Sequence, residues 1–370
     1  MKIAVLGAGM VGRTIATDLS KKFEVTSFDI SESNLAILKL NTNVQCVIAN
    51  LLDYDNYEKM LASFNLIVCA VPGFMGFKTL ETVIKIGKNV ADISFFSEDG
   101  LQLNALAKQK NVTAIIDCGV APGMSNLILG YHNAQLKIDS FDCMVGGLPK
   151  VRVKPFEYKA PFSPIDVIEE YTRPARYVEN GHLVTKPALS DAELLNFEYA
   201  GTLESFNTDG LRSILYTMKN IPNMKEKTLR YPGHIALIQS LQQAGFFSEN
   251  EINVKGKTIR PLDLTTAILF DQWKQKDGEA EFTIMKIIIK GEGKTIEYLL
   301  YDEYDVATQT ASMSRTTGYA CNAFANLIAN NIFTHKGVFP PELVGKDENC
   351  FKYVMQYFKE RNVNYAKTIS

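Results

Sequence analysis

The first chemistry-bearing residues of this chain are three glycines near its start. "KIAVLGAGMVGRTIATDL" has the pattern of a short apolar strand, then Gly7-x-Gly9-x-x-Gly12, then a helix. In this order the glycines permit a tight turn, close approach of a pyrophosphate and close packing of the helix on the strand. The helix N-terminus would offer its free N–H groups to phosphates. The segment therefore predicts a dinucleotide site.

A carboxylate at the end of the next strand refines this prediction. "FEVTSFD" ends in Asp29, 22 residues after Gly7. A carboxylate at this point can accept both hydroxyls of an adenosine ribose and would repel a 2′-phosphate. The residues therefore favour NAD over NADP.

Alternating strands and helices must position these groups. "NVQCVIA", "NLIVCAV", "NVADIS" and "VTAIID" predict strands with helices between them, which is typical of an α/β Rossmann fold with a doubly wound parallel sheet. Ligands of such sheets lie beyond the carboxyl ends of the strands. Asp92, Ser94 and Asp117 should therefore border one crevice, although Asp92 and Asp117 could instead cap helices. The predicted cofactor contacts are Gly7, Gly9, Met10, Val11, Gly12, Asp29, Ala70, Val71, Pro72, Asp92, Ser94 and Gly119.

The character of the chain changes after the first third. "IDSFDCMVGGLP" predicts a strand, and "EFTIMKIIIKGEGKTIEYLLYDEYD" predicts an antiparallel hairpin around Gly291 and Gly293. "SRTTGYACNAFANLIANN" and "ENCFKYVMQYFKERN" predict helices, the latter as the terminal element. We therefore expect an NAD-binding domain at residues 1–133 and an α+β mixed-sheet domain at 134–311 for substrate binding and oligomerisation.

Composition limits the classes of partner. The 370 residues are 46% hydrophobic and 22% charged with a net charge of −2, an ordinary soluble composition that does not favour nucleic acid or a membrane as partner. The six cysteines and four histidines show no ligand spacing, so we expect no metal. We expect a cytoplasmic protein with a small-molecule amino acid substrate. The apolar hairpin suggests a homo-oligomer, a dimer or a tetramer.

Several motifs resemble one family over nearly the whole length. They are "GAGMVG", "DCGVAPGMSN", "GGLP", "KPFEYKAPFSPIDVIEEYTRPA", "FNTDGLRS", "TLRYPGH", "SRTTGYACN" and "GVFPPELVG". The chain resembles the saccharopine dehydrogenase-like family and, without long insertions, is more similar to its lysine-deaminating branch than to its glutamate-forming saccharopine enzymes. The resemblance implies NAD-dependent oxidation of the L-lysine side-chain amine to the 6-semialdehyde, with release of ammonia. It also implies that helices from about 312–370 return to the first domain.

If lysine is the substrate, its ε-amine must be neutral before hydride leaves, so a base or a desolvated pocket is required. Asp117 is our main candidate to orient or deprotonate the amine, although a simple strand-to-helix linker would explain its segment. His234 and Lys159 are further candidate bases. His234 has an equal structural explanation as a helix-cap or packing residue.

The other end of lysine needs a cation for its carboxylate and an acceptor for its α-ammonium group. Arg212 is the first candidate for the carboxylate and Arg230 the second, with a surface ion pair as the alternative role of Arg230. Asp209 is the candidate for the α-ammonium group, or a helix N-cap. Tyr158 and Thr317 are expected to line the pocket, although capping explains the threonine almost as well.

Two other functions stay open. A reductase that makes or splits a secondary amine, such as saccharopine or carboxynorspermidine, would need further cations, and Arg152, Arg173 and Arg176 are available. A non-catalytic NAD-binding sensor would bind NAD tightly without turnover of any amino acid.

Overall fold

The computed structural model describes residues 1–160 and 164–370. These divide into two compact units: unit 1 is 1–138, 212–218 and 313–364, and unit 2 is 139–211, 219–312 and 365–370. The expected division placed 212–218 in the second domain and 365–370 with the first, so both short segments differ from it. The composition of these two segments does not indicate which unit they belong to. Contacts with residues distant in sequence decide it, such as the pairing of 365–369 with 296–300.

The strands are named in chain order. They are β1 (Lys2–Leu6), β2 (Glu24–Asp29), β3 (Gln45–Ile48), β4 (Leu66–Cys69), β5 (Asn89–Asp92), β6 (Thr113–Ile115), β7 (Ser140–Pro149), β8 (Ala175–Glu179), β9 (His182–Lys186), β10 (Glu193–Phe197), β11 (Gly201–Asn207), β12 (Met224–Arg230), β13 (Ile252–Val254), β14 (Lys257–Ile259), β15 (Glu281–Gly291), β16 (Lys294–Glu303), β17 (Gly337–Phe339) and β18 (Tyr365–Ile369).

The α-helices are named in the same way. They are α1 (Met10–Leu19), α2 (Glu32–Asn41), α3 (Tyr57–Leu61), α4 (Gly73–Lys85), α5 (Asn104–Gln109), α6 (Met124–Asn133), α7 (Pro164–Thr172), α8 (Ile214–Thr217), α9 (His234–Gln243), α10 (Pro261–Trp273), α11 (Ser312–Ala329), α12 (Pro341–Gly345) and α13 (Glu348–Lys359). Short 3-10 turns at Tyr54–Asn56 and Gly100–Leu103 precede α3 and α5.

Unit 1 contains a parallel sheet with the strand order β17-β6-β5-β4-β1-β2-β3. Every strand pair in it is parallel, and β4 is buried along its whole length, as expected for a sheet covered on both faces. The predicted Rossmann-type sheet is therefore confirmed. β17 was not predicted, because three residues are too few to show a periodic pattern.

Unit 2 contains a mixed sheet with the strand path β10-β11-β12-β7-β15-β16-β18, while β8 pairs with β12 and β9. β7 and β12 are parallel and the other pairs are antiparallel, which confirms the expected mixed sheet. The hairpin β15–β16 turns through Glu292 and Gly293, both at positive φ (+52° and +72°), as a two-residue hairpin turn requires. β18 corrects the prediction that a helix ends the chain.

Three isoleucines of β15 are buried within the single chain. Ile284, Ile287 and Ile289 are at most 1% exposed. These three side chains are therefore already covered in one copy of the chain and add no support to the expected homo-oligomer. The oligomeric state stays a prediction.

The described residues also bear on the possibility of a membrane span or a metal site. None of their helices combines the length and the apolar character needed to cross a membrane. The same residues contain no group of three or more His, Cys, Asp or Glu suited to hold a metal ion. All six cysteines are free thiols, and five of them are buried.

Candidate functional site

The glycine-rich turn between β1 and α1 forms an open cradle at the helix N-terminus. Gly7 has a φ of +109°, and a Cβ there would overlap the carbonyl oxygen of Ala70. A Cβ at Gly12 would overlap the carbonyl oxygen of Gly7, so α1 packs at backbone distance. A Cβ at Gly9, in contrast, would meet nothing within 4 Å. Gly9 therefore leaves space in front of the first N–H groups of α1, where a pyrophosphate would bind.

Asp29, the last residue of β2, lies beside this cradle. One of its carboxylate oxygens accepts a hydrogen bond from the N–H of Ala8 at 2.6 Å, and the other accepts one from the N–H of Ser31 at 2.7 Å. These bonds hold the negative charge at the glycine turn, where a ribose would lie. The cradle and the carboxylate together fit a nicotinamide dinucleotide, whose chemistry is to accept or supply a hydride.

The other predicted contacts near the cradle are also positioned by these elements. Met10 and Val11 are half-buried residues of the first turn of α1, and Gly9 gives that turn no side-chain cap. Residues 70–72 follow β4, with the N–H of Ala70 bonded to the carbonyl oxygen of Leu6 at 2.8 Å. The turn after β4 is therefore adjacent to the glycine turn.

The contrast between two glycines predicts two different defects. Gly9→Ala should fold with unchanged thermal stability, since its Cβ meets open space at an ordinary φ of −62°, yet it should raise the Kd of the dinucleotide at least tenfold. Gly12→Ala should instead lower the melting temperature, because its Cβ would overlap backbone. Thermal unfolding and calorimetric titration of both variants check this. Equal cofactor affinity in Gly9→Ala and the wild type would place the pyrophosphate elsewhere.

Asp92 and Ser94 follow β5 but are buried rather than exposed. Asp92 is 0% exposed, and its Oδ1 accepts a hydrogen bond from the N–H of Ser94 at 2.6 Å. Burial raises the pKa of Asp92 to about 7, against hydrogen bonds from Ser94 that lower it. Asp92 therefore closes a local turn rather than capping a helix. Contact of Asp92 and Ser94 with a cofactor stays a prediction.

Asp117 and Arg212 form a buried ion pair within unit 1. Nε of Arg212 donates to Oδ1 of Asp117 at 2.9 Å, and Nη1 donates to the carbonyl oxygen of Phe96 at 2.5 Å. The guanidinium group also lies over the rings of Phe95 and Phe96, 4.7 and 5.3 Å from their centroids. Asp117 and Arg212 both have positive φ, +54° and +47°, which is uncommon outside glycine and collects at functional sites.

This pair corrects two predictions. Arg212 was expected to bind a substrate carboxylate, but its guanidinium group is bound to a carboxylate of this chain. Asp117 caps no helix, because α6 begins after Gly123 without a side-chain cap. Burial raises the pKa of Asp117, and Arg212 opposes that shift. Arg212 therefore orients the carboxylate of Asp117 and favours its ionised form.

Arg230, the last residue of β12, is the centre of a buried polar cluster in unit 2. It is 3% exposed, and its Nε donates to the hydroxyl of Tyr171 at 3.0 Å. Nη2 donates to Glu170 at 3.0 Å and towards the hydroxyl of Tyr158 at 3.4 Å. The guanidinium carbon also lies 4.3 Å from the ring centroid of Tyr158. Arg230 is therefore a buried anchor with two tyrosine hydroxyls beside it, not a surface ion pair.

His234, the first residue of α9, extends this cluster. Its Nδ1 lies 2.9 Å from the carbonyl oxygen of Phe156, which can only accept, so Nδ1 carries the hydrogen. Burial lowers the pKa of His234 to about 4, and the charge of Arg230 acts in the same direction. Nε2 of the neutral ring therefore accepts the hydroxyl hydrogen of Tyr171, 2.9 Å away. His234 does not fit the predicted base and has the alternative packing role.

Lys159 and Asp209 are also engaged within unit 2. Lys159 is half-buried, and its Nζ donates to the carbonyl oxygen of Gln272 near the end of α10 at 3.0 Å. It therefore lacks the desolvated surroundings that a lysine base needs. Asp209 accepts two hydrogen bonds from the guanidinium group of Arg176, both at 2.9 Å. This ion pair occupies the carboxylate that was predicted to bind the α-ammonium group.

Thr317 lies on α11 against the turn that follows Asp117. A Cβ at Gly119 would stand 3.8 Å from Cγ2 of Thr317. The threonine hydroxyl donates to the sulfur of Met313 at 3.6 Å. Within unit 1, Thr317 and Gly119 are therefore neighbours, and pocket lining by Thr317 stays a prediction.

The three arginines that were thought to be available are already paired. The pairs are Arg152 with Glu157, Arg173 with Glu169, and Arg176 with Asp209. Contrary to the prediction, each of these charges has a carboxylate partner in the chain.

Sequence reasoning missed Glu170 and Tyr171 as functional candidates. Both lie at the end of α7, within the longest motif that carried the family resemblance, and both bond to Arg230. The adjacent pair of a carboxylate and a tyrosine was the available signal. This signal did not single out the two residues, because their partner Arg230 lies 59 residues beyond Tyr171. Only the tertiary structure brings the three side chains together.

Comparison with known proteins decides the family. A family model described as the saccharopine dehydrogenase C-terminal domain matches residues 119–363. A second, described as the saccharopine dehydrogenase NADP binding domain, matches residues 3–115. The chain belongs to the saccharopine dehydrogenase family. The resemblance seen in the sequence motifs is thereby confirmed, and residues 3–115 are the nicotinamide-dinucleotide-binding domain of this family member.

Relatives within the saccharopine dehydrogenase family are distant. The saccharopine dehydrogenase (NADP(+), L-glutamate-forming) of Pyricularia oryzae is 26% identical over 267 residues, which cover 67% of this chain and 58% of that protein. The alpha-aminoadipic semialdehyde synthase of Arabidopsis thaliana is 25% identical over 260 residues, which cover 65% of this chain and 24% of that protein. The chain thus spans less than two thirds of the length of these curated relatives.

A solved structure shows the same fold. The apo saccharopine dehydrogenase (L-Glu forming) of Saccharomyces cerevisiae matches with a TM-score of 0.80 and 17% identity, covering 100% of this chain and 99% of that one. At this identity the match establishes the fold of the family member and not its substrate.

Proposed function

We propose that this member of the saccharopine dehydrogenase family is an NAD-dependent dehydrogenase that converts the L-lysine side-chain amine to the 6-semialdehyde and ammonia. The family and the cradle at Gly9 support a nicotinamide-dependent enzyme that acts on the C–N bond of an amino acid. The observation that carries the choice of lysine is the pairing of Arg152, Arg173 and Arg176 with carboxylates of the chain. Arg230 is also paired, with Glu170, and is the one arginine for which we propose that a substrate carboxylate replaces the partner. A saccharopine-like substrate has further carboxylates that each need a cation.

In this proposal Asp117 takes a proton from the ε-ammonium group, because only a neutral amine has the lone pair that helps hydride leave C6. The bound nicotinamide supplies the hydride acceptor. The oxidised substrate is an iminium ion, to which water adds before the carbon–nitrogen bond breaks and ammonia leaves. Arg212 keeps the carboxylate of Asp117 oriented through its 2.9 Å hydrogen bond.

Arg230, a buried cation of unit 2, stays our second candidate for a substrate carboxylate. Tyr171 and Tyr158 hold its guanidinium group in one orientation. Glu170 is the carboxylate that a substrate would replace. Burial raises the pKa of Glu170, against the opposing charge of Arg230. If Glu170 were protonated, the positive charge of Arg230 would be available to pair with a substrate carboxylate.

The preference for NAD is proposed from Asp29. Asp29→Ser should raise the ratio of kcat/KM for NADP to that for NAD at least tenfold, since it removes the charge that repels a 2′-phosphate. Steady-state kinetics with both cofactors check this, and Glu32→Ser on the nearby helix α2 is the control. An unchanged ratio in Asp29→Ser would contradict the ribose assignment.

A second candidate is a dehydrogenase or reductase acting on a secondary amine, either saccharopine or a carboxynorspermidine-type compound. The names of the Pyricularia and Saccharomyces relatives favour saccharopine. A third candidate, a non-catalytic NAD sensor, would bind NAD without turnover.

The deciding experiment follows NADH absorbance with purified protein, NAD and either L-lysine or saccharopine, with ammonia measured in both. Equal amounts of NADH and ammonia from lysine alone are expected. NADH from saccharopine without ammonia would move the protein to the secondary-amine class. NAD binding without NADH from either compound would favour the sensor.

A further inference from the structure

Glu342 on α12 is a fully buried carboxylate in unit 1. Its Oε2 accepts a hydrogen bond from Nδ2 of Asn126 at 3.2 Å, and its Oε1 lies 2.6 Å from Oγ1 of Thr217. Among the residues that the structure describes, no lysine, arginine or histidine pairs with it within 4.0 Å. An ionised carboxylate is costly in such a place without a paired charge. The surroundings therefore favour the uncharged acid.

The second contact of the Thr217 hydroxyl indicates whether Thr217 or Glu342 is the donor in the hydrogen bond between them. Its Oγ1 also lies 3.0 Å from the carbonyl oxygen of Ser213, where only the hydroxyl can be the donor. A hydroxyl carries one hydrogen. If it goes to Ser213, the contact with Glu342 is a hydrogen bond only when the acid supplies the proton. Burial raises the pKa of Glu342 and the charge of Asp117 acts in the same direction, while hydrogen bonds with Thr217, Ser213 and its own backbone N–H oppose the rise without cancelling it.

We propose that Glu342 is a positioning residue that, as a neutral carboxylic acid, donates to Thr217 and fixes the segment 212–218 that carries Arg212. Asn126 strengthens the connection, because its Nδ2 also lies 3.4 Å from Oγ of Ser213. The segment starts with the strained backbone of Arg212, which local propensity does not maintain. Bonds from elsewhere in unit 1 must therefore hold it.

The backbone around Glu342 leaves the acid little freedom. A Cβ at Gly130 would overlap the carbonyl oxygen of Glu342, and a Cβ at Gly345 would overlap that of Leu127. Helices α6 and α12 therefore meet at backbone distance. Titratable side chains on the helices packed against α12 are Tyr131 and His132 on α6, Tyr216 on α8, and Glu348, Cys350, Lys352, Tyr353, Tyr357 and Lys359 on α13.

The effect on the reaction, through Arg212 and Asp117, rests on the proposed function, whereas the protonation of Glu342 and the fixing of the segment do not. The first test compares unfolding of the wild type and Glu342→Gln between pH 4.5 and pH 8. Glutamine keeps the size and the N–H donor but cannot titrate. The ratio of the wild-type unfolding constant to that of the variant should rise about tenfold per pH unit above the usual pKa of 4.5, until the folded-state pKa is reached.

The sign follows from proton binding. The folded state keeps a proton that the unfolded state loses above pH 4.5, so the wild type loses relative stability as the pH rises. Asp18→Asn is the matched control, because Asp18 is buried but bonded to Arg361 and its pKa is lowered. Its ratio should show no such rise. Parallel curves for the wild type and Glu342→Gln would mean that Glu342 is ionised in the fold, and would overturn the proposal.

The second test measures hydrogen exchange of residues 212–218. Glu342→Leu should speed exchange there at least tenfold, while Glu342→Gln keeps the protection of the wild type. Thr217→Val, which removes only the hydroxyl, should reproduce the leucine effect and replaces that variant if leucine prevents folding. Unchanged exchange in Thr217→Val would contradict the positioning role.

Kinetics then separate this inference from the proposed function. With the substrate that the wild type turns over, Thr217→Val should lower kcat at least tenfold and leave the Kd of NAD unchanged, and Glu342→Gln should retain kcat. Equal kcat in Thr217→Val would overturn the link to Arg212. A wild type inactive on lysine would refute the proposed substrate, while the unfolding and exchange results would still decide the role of Glu342.

Discussion

Replacement of Arg212 by methionine is expected to lower kcat for the amino acid about a hundredfold while NAD binding stays intact. Arg212 opposes the effect of burial on the pKa of Asp117. Without it the pKa rises further, and a protonated Asp117 cannot take a proton from the substrate ammonium group. The free energy of unfolding at neutral pH should fall by about 3–5 kcal/mol, because a buried carboxylate loses its partner.

Kinetics of Arg212→Met distinguish the two roles of this arginine. If Arg212 bound the substrate carboxylate, KM would rise strongly and kcat would remain. The double variant with Asp117→Asn should recover much of the lost stability, since it removes both charges of the pair. Arg260→Met is the control, because Arg260 forms an exposed pair with Asp263 three residues away. A raised KM with unchanged kcat would return Arg212 to the substrate site.

Acidification is expected to destabilise the protein through His234 by about 3 kcal/mol between pH 6.5 and pH 4, as its folded-state pKa of about 4 implies. The folded state holds this ring neutral, whereas the unfolded chain binds a proton below the ordinary value of 6.5. The stabilising contribution is therefore complete above pH 6.5 and is lost as the pH falls towards 4. Urea unfolding of the wild type and His234→Gln at both ends of this range measures the difference.

The same variant tests whether His234 is a base. Any ionisation near neutral pH in the kcat profile of the wild type should persist in His234→Gln, because a neutral buried ring does not titrate there. His182→Gln, at an exposed position on β9, should match the wild type in both stability and kcat. Loss of a kcat ionisation in His234→Gln alone would restore the predicted base.

The predictions that succeeded depended on neighbouring residues. Gly7, Gly9, Gly12 and Asp29 lie within one strand–helix–strand unit, so their spacing already implies the glycine turn and the position of the carboxylate beside it, while their contacts with a cofactor stay predictions. The hairpin turn at Gly293 is local in the same way, because a two-residue turn needs positive φ where the chain reverses. Alternating apolar runs likewise predicted the parallel sheet, since each buried strand and helix carries its own pattern.

The predictions that failed concerned charges with distant partners. Arg212 looked available to bind a substrate because its actual partner, Asp117, lies 95 positions earlier in the sequence. Nothing in the residues around Arg212 indicates that partner. The alternative role considered for Arg230 was a surface ion pair, and His234 was a candidate base or a packing residue. Burial by several elements of unit 2 instead makes one an anchor and the other a neutral acceptor. The type of a residue determines which hydrogen bonds and ion pairs its side chain can form. The fold determines which partner it forms them with.

By itself, the sequence determined the family, the parallel and mixed sheets, and the dinucleotide cradle, because each is encoded by motifs or by periodic patterns a few residues long. The tertiary structure alone decided which arginines are neutralised, which histidine stays uncharged and which acid holds Arg212. These outcomes depend on burial and on contacts between residues up to 216 positions apart, as in the bond from Asn126 to Glu342. Burial makes an unpaired charge costly, so the folded chain pairs or neutralises its own ionisable groups before any substrate binds.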